Sequence, residues 1–140
     1  MEKINQIENF LTDVGFAVSN ERYAGYQGLV ISSNELKSNV SMVPYPVEDD
    51  DVQTRLFQFS FNIEVDKDQF YHESFSKKVL EMNKNLPYGS FTIFDSELIC
   101  YKYVMICNKE NDIDKMILYD IMNVITYVMK LAASNLKQKK

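Results

Sequence analysis

The sequence predicts an α+β fold in which a twisted antiparallel sheet carries helices packed on its faces, as one domain over residues 1–140. In residues 56–65, aromatic and aliphatic side chains alternate with polar ones, as in a half-buried strand. Residues 2–14 and 113–136 instead repeat apolar side chains at helical spacing. No helix separates the first three predicted strands, so these strands are expected to pair antiparallel.

Apolar side chains three and four residues apart predict helices over residues 2–14, 69–86 and 113–136. Gly15 occupies the position of a glycine that ends a helix. Asp66 is an N-cap candidate for the second helix, which must stop before Pro87. Asn111 or Asp112 can cap the third helix.

Alternation and turn signals predict five strands, over residues 28–32, 38–43, 56–65, 91–94 and 98–106. The last two form a hairpin around residues 95–97, and Gly89 permits the sharp turn that precedes it. Residues 16–18 are predicted to be a short extended piece, and residues 20–27 a loop. The predicted order is therefore helix, three strands, helix, two strands, helix.

The composition is that of one globular domain, with 140 residues, 46% of them hydrophobic and 25% charged. The net charge is −5, and only Arg22 and Arg55 are arginines. A phosphate backbone would repel such a chain, so we expect no nucleic-acid partner. The N-terminal segment lacks the apolar region of a secretory signal, and no apolar run is expected to cross a bilayer. These features predict a cytoplasmic protein without a membrane partner.

Cys100 and Cys107 are the two cysteines of the chain. Their odd separation would place them on opposite faces of one continuous strand, which argues against a disulfide between them. Two buried free thiols would suit a reducing cytosol. A metal or redox role is the alternative to core packing.

Candidate catalytic groups are few. His72 is the single histidine, so a triad, a Cys/His pair or a zinc site would have to use this ring. The acidic run at residues 48–51 lacks the ligand spacing of an EF-hand and is interpreted as a solvated loop. Lys102 interrupts an apolar strand and would be the base or nucleophile of a hypothetical hydrolase. We expect no enzyme, no metal and no cofactor.

The last predicted helix carries more apolar residues than one face can hold. One stripe is expected to cover the sheet: Ile113, Ile117, Val124, Val128 and Leu131. A second stripe is expected to leave apolar surface for a partner: Leu118, Met122, Ile125, Met129 and Ala132. Flexible methionines on such a face suit the binding of varied ligands.

Several short motifs resemble the YbjN family, whose fold is similar to that of class I type III secretion chaperones such as the Tir chaperone. They are the first helix closing at residues 11–15, and Asn83 with Asn85 before residues 89–91. The hairpin at residues 91–105 and the long last helix complete the likeness. The family pattern tends to place a polar or basic residue after the glycine at position 89 and an Asp-Gly-like turn in the hairpin. This chain departs from that pattern, with Ser90 and with Asp95-Ser96-Glu97 at those places.

The resemblance implies a homodimer that binds an extended segment of a partner protein by strand addition and apolar pockets. The partner-binding residues expected on this basis are Leu29, Ile31, Val40, Met42, Met122 and Met129. The first four would lie on an open sheet edge, because the prolines at positions 44 and 46 leave little to cover it. The expected dimer contact joins Phe75 and Val79 to Phe91 and Ile93.

Two function classes follow. The first is a non-enzymatic, chaperone-like module that binds a segment of a partner protein. The second is a regulatory or immunity-type protein that docks a folded partner through its acidic surface, with residues 48–51 steering the encounter. Apolar binding should persist in salt, whereas acidic docking should weaken.

Overall fold

The chain folds as an antiparallel sheet with packed helices, as the sequence predicts, but the helices lie on one face of the sheet rather than on both. The computed structural model describes residues 2–23, 26–44, 54–108 and 113–139. The elements in order are α1 (Glu2–Asp13), β1 (Ala17–Tyr23), β2 (Tyr26–Ser32), β3 (Val40–Pro44), β4 (Thr54–Glu64), α2 (Lys67–Phe70), α3 (Phe75–Lys84), β5 (Ser90–Phe94), β6 (Leu98–Asn108) and α4 (Lys115–Asn135). The strands lie in the order β1-β2-β3-β4-β6-β5, and each neighbouring pair is antiparallel.

The predicted aromatic row of β4 forms the floor of the core. Phe57, Phe59, Phe61 and Ile63 are all buried, whereas Asn62 and its alternating neighbours face away. The buried side chains of α1, α3 and α4 belong to the same continuous cluster. One face of the sheet, the inner face, is therefore covered by helices. The opposite face is called the outer face below.

Only the start of strand β1 was predicted, as the extended piece at residues 16–18, because residues 20–27 were interpreted as a loop. Residues Ala17 to Tyr23 pair with β2 along their whole length. Asn20 of β1 donates to Glu8 of α1 at 3.0 Å and accepts from Gln27 at 2.7 Å. Charged and polar residues are typical of an edge strand, where one side meets water and conceals the strand pattern. The sheet consequently has six described strands rather than five.

The second predicted helix is interrupted. Asp66 caps α2 as expected, since its side chain accepts a hydrogen bond from the Gln69 N–H at 3.4 Å. His72 Nδ1 then accepts from the Ser74 N–H at 3.1 Å and lies 2.7 Å from Ser74 Oγ. This local turn competes with helical hydrogen bonds and separates α2 from α3.

The predicted stop and hairpin after α3 are confirmed. Gly89 has a φ of +74°, and a Cβ there would lie 2.5 Å from the Lys102 carbonyl oxygen. Tyr101 fixes the turn from the other side by donating its hydroxyl to the Tyr88 carbonyl at 2.7 Å. Only glycine combines this left-handed backbone with so close an approach to β6.

Helix α4 is present, with Asp114 as its N-cap accepting from the Met116 N–H at 2.9 Å. The predicted caps at positions 111 and 112 lie outside the described residues. The predicted roles of the two apolar stripes are wrong. The whole second stripe is buried, together with Ile121 and with Val128 of the first stripe, whereas Ile117 of the first stripe is 49% exposed. Either stripe is apolar enough to cover the sheet, so the direction from which α4 approaches decides between them.

Helix α4 also corrects the expectation that no apolar run could cross a bilayer. The helix Lys115–Asn135 is long enough and apolar enough to cross a membrane, judged by length and composition only, with a mean hydropathy of 1.4. In this fold, however, the buried stripe of α4 packs in the core cluster with the strands of the inner face. That is the arrangement of a core helix.

Candidate partner-binding surface

The six side chains expected to bind a partner lie inside the core. Leu29, Ile31, Val40 and Met42 are fully buried, and Met122 and Met129 are at most 5% exposed. Strand β1 covers the edge that the first four were expected to form, and the sheet covers the second stripe of α4. This assignment is corrected accordingly: a partner meeting this fold does not reach these side chains.

Three of the four residues expected to form the dimer contact are also buried in the core. Phe75, Val79 and Phe91 are each no more than 4% exposed. They pack in the core cluster, where the Phe91 ring meets the Tyr101 ring at 5.5 Å between centroids. Ile93, at 38% exposed, is the member of the set that a second copy could contact.

Accessible apolar side chains lie instead on the outer face of the sheet. Leu56 pairs with Ile106, and Gln58 lies between Val43 and Val104. Ile106 is 70% exposed and Val104 is 40% exposed, while Val43 and Leu56 are half-buried. Neighbouring strands lie only about 5 Å apart, so these side chains form one continuous surface. The apolar patch below means Val43, Leu56, Val104 and Ile106.

Next to the apolar patch, the outer face carries a row of side chains, four of them serines, that runs across all six described strands and is called the serine row below. In order, the row is Ser19, Val30, Ser41, Ser60, Lys102 and Ser90. Lys102 is the charged member of this described row, and its Nζ lies 5.6 Å from the centroid of the Phe94 ring. A largely uncharged surface costs little to desolvate when a partner covers it.

A second accessible apolar surface lies on the side of α4 that faces away from the sheet. Met116 is 65% exposed, Tyr127 is 51% exposed, and Ile117 joins them. Asp120 and Lys130, both exposed, interrupt this surface. The apolar patch is the more continuous of the two surfaces.

The two cysteine thiols of β6 are protected by burial rather than activated. Burial raises the pKa of both Cys100 and Cys107, with Lys102 and Lys3 respectively offsetting the effect in part. Both thiols are free and lie on opposite faces of one strand, which confirms the prediction that they form no disulfide with each other. A raised pKa keeps a thiol protonated and weakly nucleophilic at neutral pH.

The other candidate groups have structural surroundings. His72 holds the turn between α2 and α3, and Lys102 lies half-buried in the outer face. Within the described ranges, no group of three or more His, Cys, Asp or Glu residues could hold a metal ion. The acidic run at residues 48–51 lies outside the described residues.

The sequence did not reveal Val104 and Ile106 as accessible. Residues 98–106 are almost continuously apolar, so their alternation does not distinguish the inner from the outer face. The register with β4 resolves the ambiguity, because Met105 pairs with buried Phe57 while its two neighbours face outward.

The fold is that of YbjN-like proteins. The crystal structure of YbjN from E. coli, described as a candidate transcription regulator, superposes with a TM-score of 0.55, covering 97% of this chain and 95% of that one at 14% identity. An uncharacterised protein from Methanothermobacter thermautotrophicus superposes with a TM-score of 0.61, covering 92% of each chain, also at 14% identity. No protein-family model matches the sequence, and no curated protein matches it.

Proposed function

We propose that this chain is a non-enzymatic, chaperone-like protein-binding domain that binds a segment of a partner protein on the outer face of its sheet. The observation that carries the proposal is the apolar patch, in which Ile106 is 70% exposed beside Leu56 and Val104 is 40% exposed next to it on β6. Exposed apolar surface of this continuity is typical of a contact site.

The energetics favour an apolar segment as the occupant. Full burial of an aliphatic side chain contributes about 1.5–3 kcal/mol, and Ile106 retains most of its surface for this purpose. The serine row beside the patch can hydrogen-bond a partner without desolvating a charge. Lys102 adds one site for a carboxylate or a backbone carbonyl.

The fold neighbours agree with this proposal without defining the partner. YbjN is described as a candidate transcription regulator, and a regulator can act through protein contacts alone. A net charge of −5 favours a protein over a nucleic acid as the partner here. A cytoplasmic location and a homodimer remain part of the proposal, with the dimer contact outside the buried positions 75, 79 and 91.

Affinity capture from the native cytosol with matched variants tests the proposal. Ile106→Lys places a charge in the apolar patch, while Leu80→Lys does the same on α3, where Leu80 is 61% exposed. We expect Ile106→Lys to reduce capture of the partner by about tenfold, the equivalent of ~1.4 kcal/mol. Leu80→Lys should capture as the unaltered protein does. Equal capture by both variants would contradict the proposal.

Salt separates this proposal from its alternative. Binding to an apolar patch should persist in 0.5 M salt, a level far above the roughly 0.15 M at which surface charges are already screened. A folded partner that docks on acidic surface would instead dissociate. Loss of the partner in salt, together with normal capture by Ile106→Lys, would favour the regulatory or immunity-type hypothesis.

A further inference from the structure

The end of β4 offers unpaired backbone on the side toward β3. Strand β3 pairs with β4 only between Phe57 and Ser60, although β4 continues to Glu64. On the other side β6 pairs to the end of β4, and Val65 then donates its N–H to Glu97 at 2.8 Å. The β4 notch below means the β3-facing side of residues 62–66.

The chain fills part of this notch with the segment that follows α4. The Asp66 N–H donates to the Lys137 carbonyl at 2.8 Å, and the Lys139 N–H donates to the Glu64 carbonyl at 2.9 Å. Between them, Val65 and Gln138 form an antiparallel bridge. Residues 137–139, called the tail below, therefore behave as a short added strand.

The tail is held by hydrogen bonds rather than by buried side chains, and the Lys137 N–H also donates to Gln69 Oε1 at 2.6 Å. Lys137, Gln138 and Lys139 are exposed, so the last buried apolar anchor is Leu136. The Lys139 Nζ lies 3.7 Å from a Glu97 carboxylate oxygen, but the lysine side chain is 45% exposed. Segments with few buried contacts and solvent-exposed hydrogen bonds open at low free-energy cost.

The notch is larger than its present occupant. A cavity of about 420 Å³ lies beside the tail, between Ser38 and Lys139, and Asn62 and Leu98 of the outer face contribute to its wall. A longer strand could continue from Glu64 toward Asn62 and place side chains in this cavity. The Glu97 carboxylate favours a basic side chain at the position that Lys139 occupies now, and Glu64 adds a second carboxylate to the wall of the cavity.

We propose that the β4 notch is a strand-accepting site for an extended basic segment of a partner protein, and that the tail occupies the site until such a segment displaces it. The exchange replaces equivalent main-chain hydrogen bonds, so its direction depends on the side chains that reach the cavity. This site is separate from the apolar patch and does not depend on the function proposed above.

A pair of proline substitutions in the full chain tests the site. Lys139→Pro removes the N–H that donates to Glu64. Gln138→Pro removes an N–H that points away from β4, because successive residues of an antiparallel strand alternate in direction, so it is the matched control. The probe is the synthetic peptide of residues 134–140, titrated against the amide NMR signals of residues 64–66 and 97.

We expect the peptide to shift these signals in Lys139→Pro at about fivefold lower concentration than in Gln138→Pro, because Lys139→Pro loses the hydrogen bond to Glu64 and the weak, exposed ion pair to Glu97. A peptide with glutamate in place of its lysines should leave them unshifted. Equal response of the two variants, or equal binding of the charge-reversed peptide, would overturn the proposal.

The tail of Lys139→Pro could stay in the β4 notch, and a second variant that lacks residues 137–140 covers this outcome. Its notch is empty, and the unshifted signals of the other strands report that the sheet is intact. Binding of the basic peptide to this variant supports the site, and failure to bind overturns it.

Discussion

At the scale of single residues, Asn83 closes an edge of the sheet. Strand β5 lies at one edge of the sheet, beside β6. The backbone groups on its unpaired side would be free to pair with another chain. The Asn83 side chain accepts from the Phe91 N–H at 2.7 Å and donates to the Phe91 carbonyl at 3.1 Å. One carboxamide thus replaces the residue of a neighbouring strand and leaves less edge to which a second copy could add.

Asn83→Ala should therefore destabilise the fold and promote self-association. Loss of two partly buried hydrogen bonds should cost about 1–3 kcal/mol in the free energy of unfolding. The control is Asn85→Ala, whose exposed side chain donates only to Glu81 O and should cost no more than about 0.5 kcal/mol. Urea unfolding and light scattering measure the two effects. Equal stability of the variants would contradict the role of Asn83.

Tyr101 should make stability depend on pH in the alkaline range. Burial raises the pKa of Tyr101 to about 12, from about 10 in the unfolded chain. The folded protein therefore holds this proton more tightly, so the contribution is complete below pH 10 and is lost as pH rises through 12. Tyr101→Phe should reduce the alkaline loss in the free energy of unfolding by at most about 2.7 kcal/mol.

Urea unfolding at pH 9 and pH 11 provides the measurement for Tyr101→Phe, and about half of the full difference, about 1.4 kcal/mol, is expected at pH 11. Burial also raises the pKa of Tyr103, so only the difference between variant and unaltered protein is informative. Tyr127→Phe, on the exposed side of α4, controls for the loss of a hydroxyl. A loss of stability in Tyr101→Phe as steep as in the unaltered protein would exclude Tyr101 as its source.

The structural roles of residues with unusual backbone properties could be predicted from the sequence. The roles of residues that act through tertiary contacts could not. Pro87 and Gly89 were expected to stop a helix and make a turn, because each has a conformational range of its own. Asn83 was noticed only as part of a family likeness. Its partner, Phe91, comes within reach only after α3 and β5 have packed.

At the scale of elements, apolar patterning together with turn and cap signals was sufficient to place most helices and strands along the chain. The bounds of α1 and α4 agree with prediction to within two residues, as do those of β5 and β6. Most of strand β1 was missed because its edge position allows charged residues, and the break before α3 was missed because His72 and Ser74 form it locally. The side of α4 that meets the sheet depends on tertiary packing.

The orientation of α4 predicts different responses at two adjacent alanines. Ala132 is fully buried, whereas Ala133 is only half-buried. Ala132→Leu should lower the free energy of unfolding by about 1–3 kcal/mol through overpacking. Ala133→Leu should change it by less than about 0.5 kcal/mol. Thermal unfolding decides the point, and a larger loss at position 133 would mean that the helix presents another face to the sheet.

At the scale of the whole molecule, the sheet has a covered inner face and an outer face with exposed apolar residues. The class of fold was predictable, because it follows from the order and period of the elements. The position of β6 between β4 and β5 was not predictable, since it depends on a non-sequential pairing. That pairing brings Leu56 beside Ile106 and creates the apolar patch.

The proposed homodimer is tested on the same scale. Light scattering on a gel-filtration column should give twice the 16.4 kDa of one chain at micromolar concentration. Ile93→Lys, at the exposed member of the expected contact, should shift the mass toward the monomer. A monomer for the unaltered protein would remove the dimer from the proposal and leave the apolar patch unaffected.

The most direct test of the proposed binding surface is a photo-crosslinking amino acid in place of Ile106, with the same residue in place of Leu80 as the control. Both sites are exposed, but only Ile106 lies in the apolar patch. Illumination in the native host should link position 106, and not position 80, to a partner protein. Crosslinks of equal yield at both positions, or at position 80 alone, would contradict the assignment of the outer face as the binding surface.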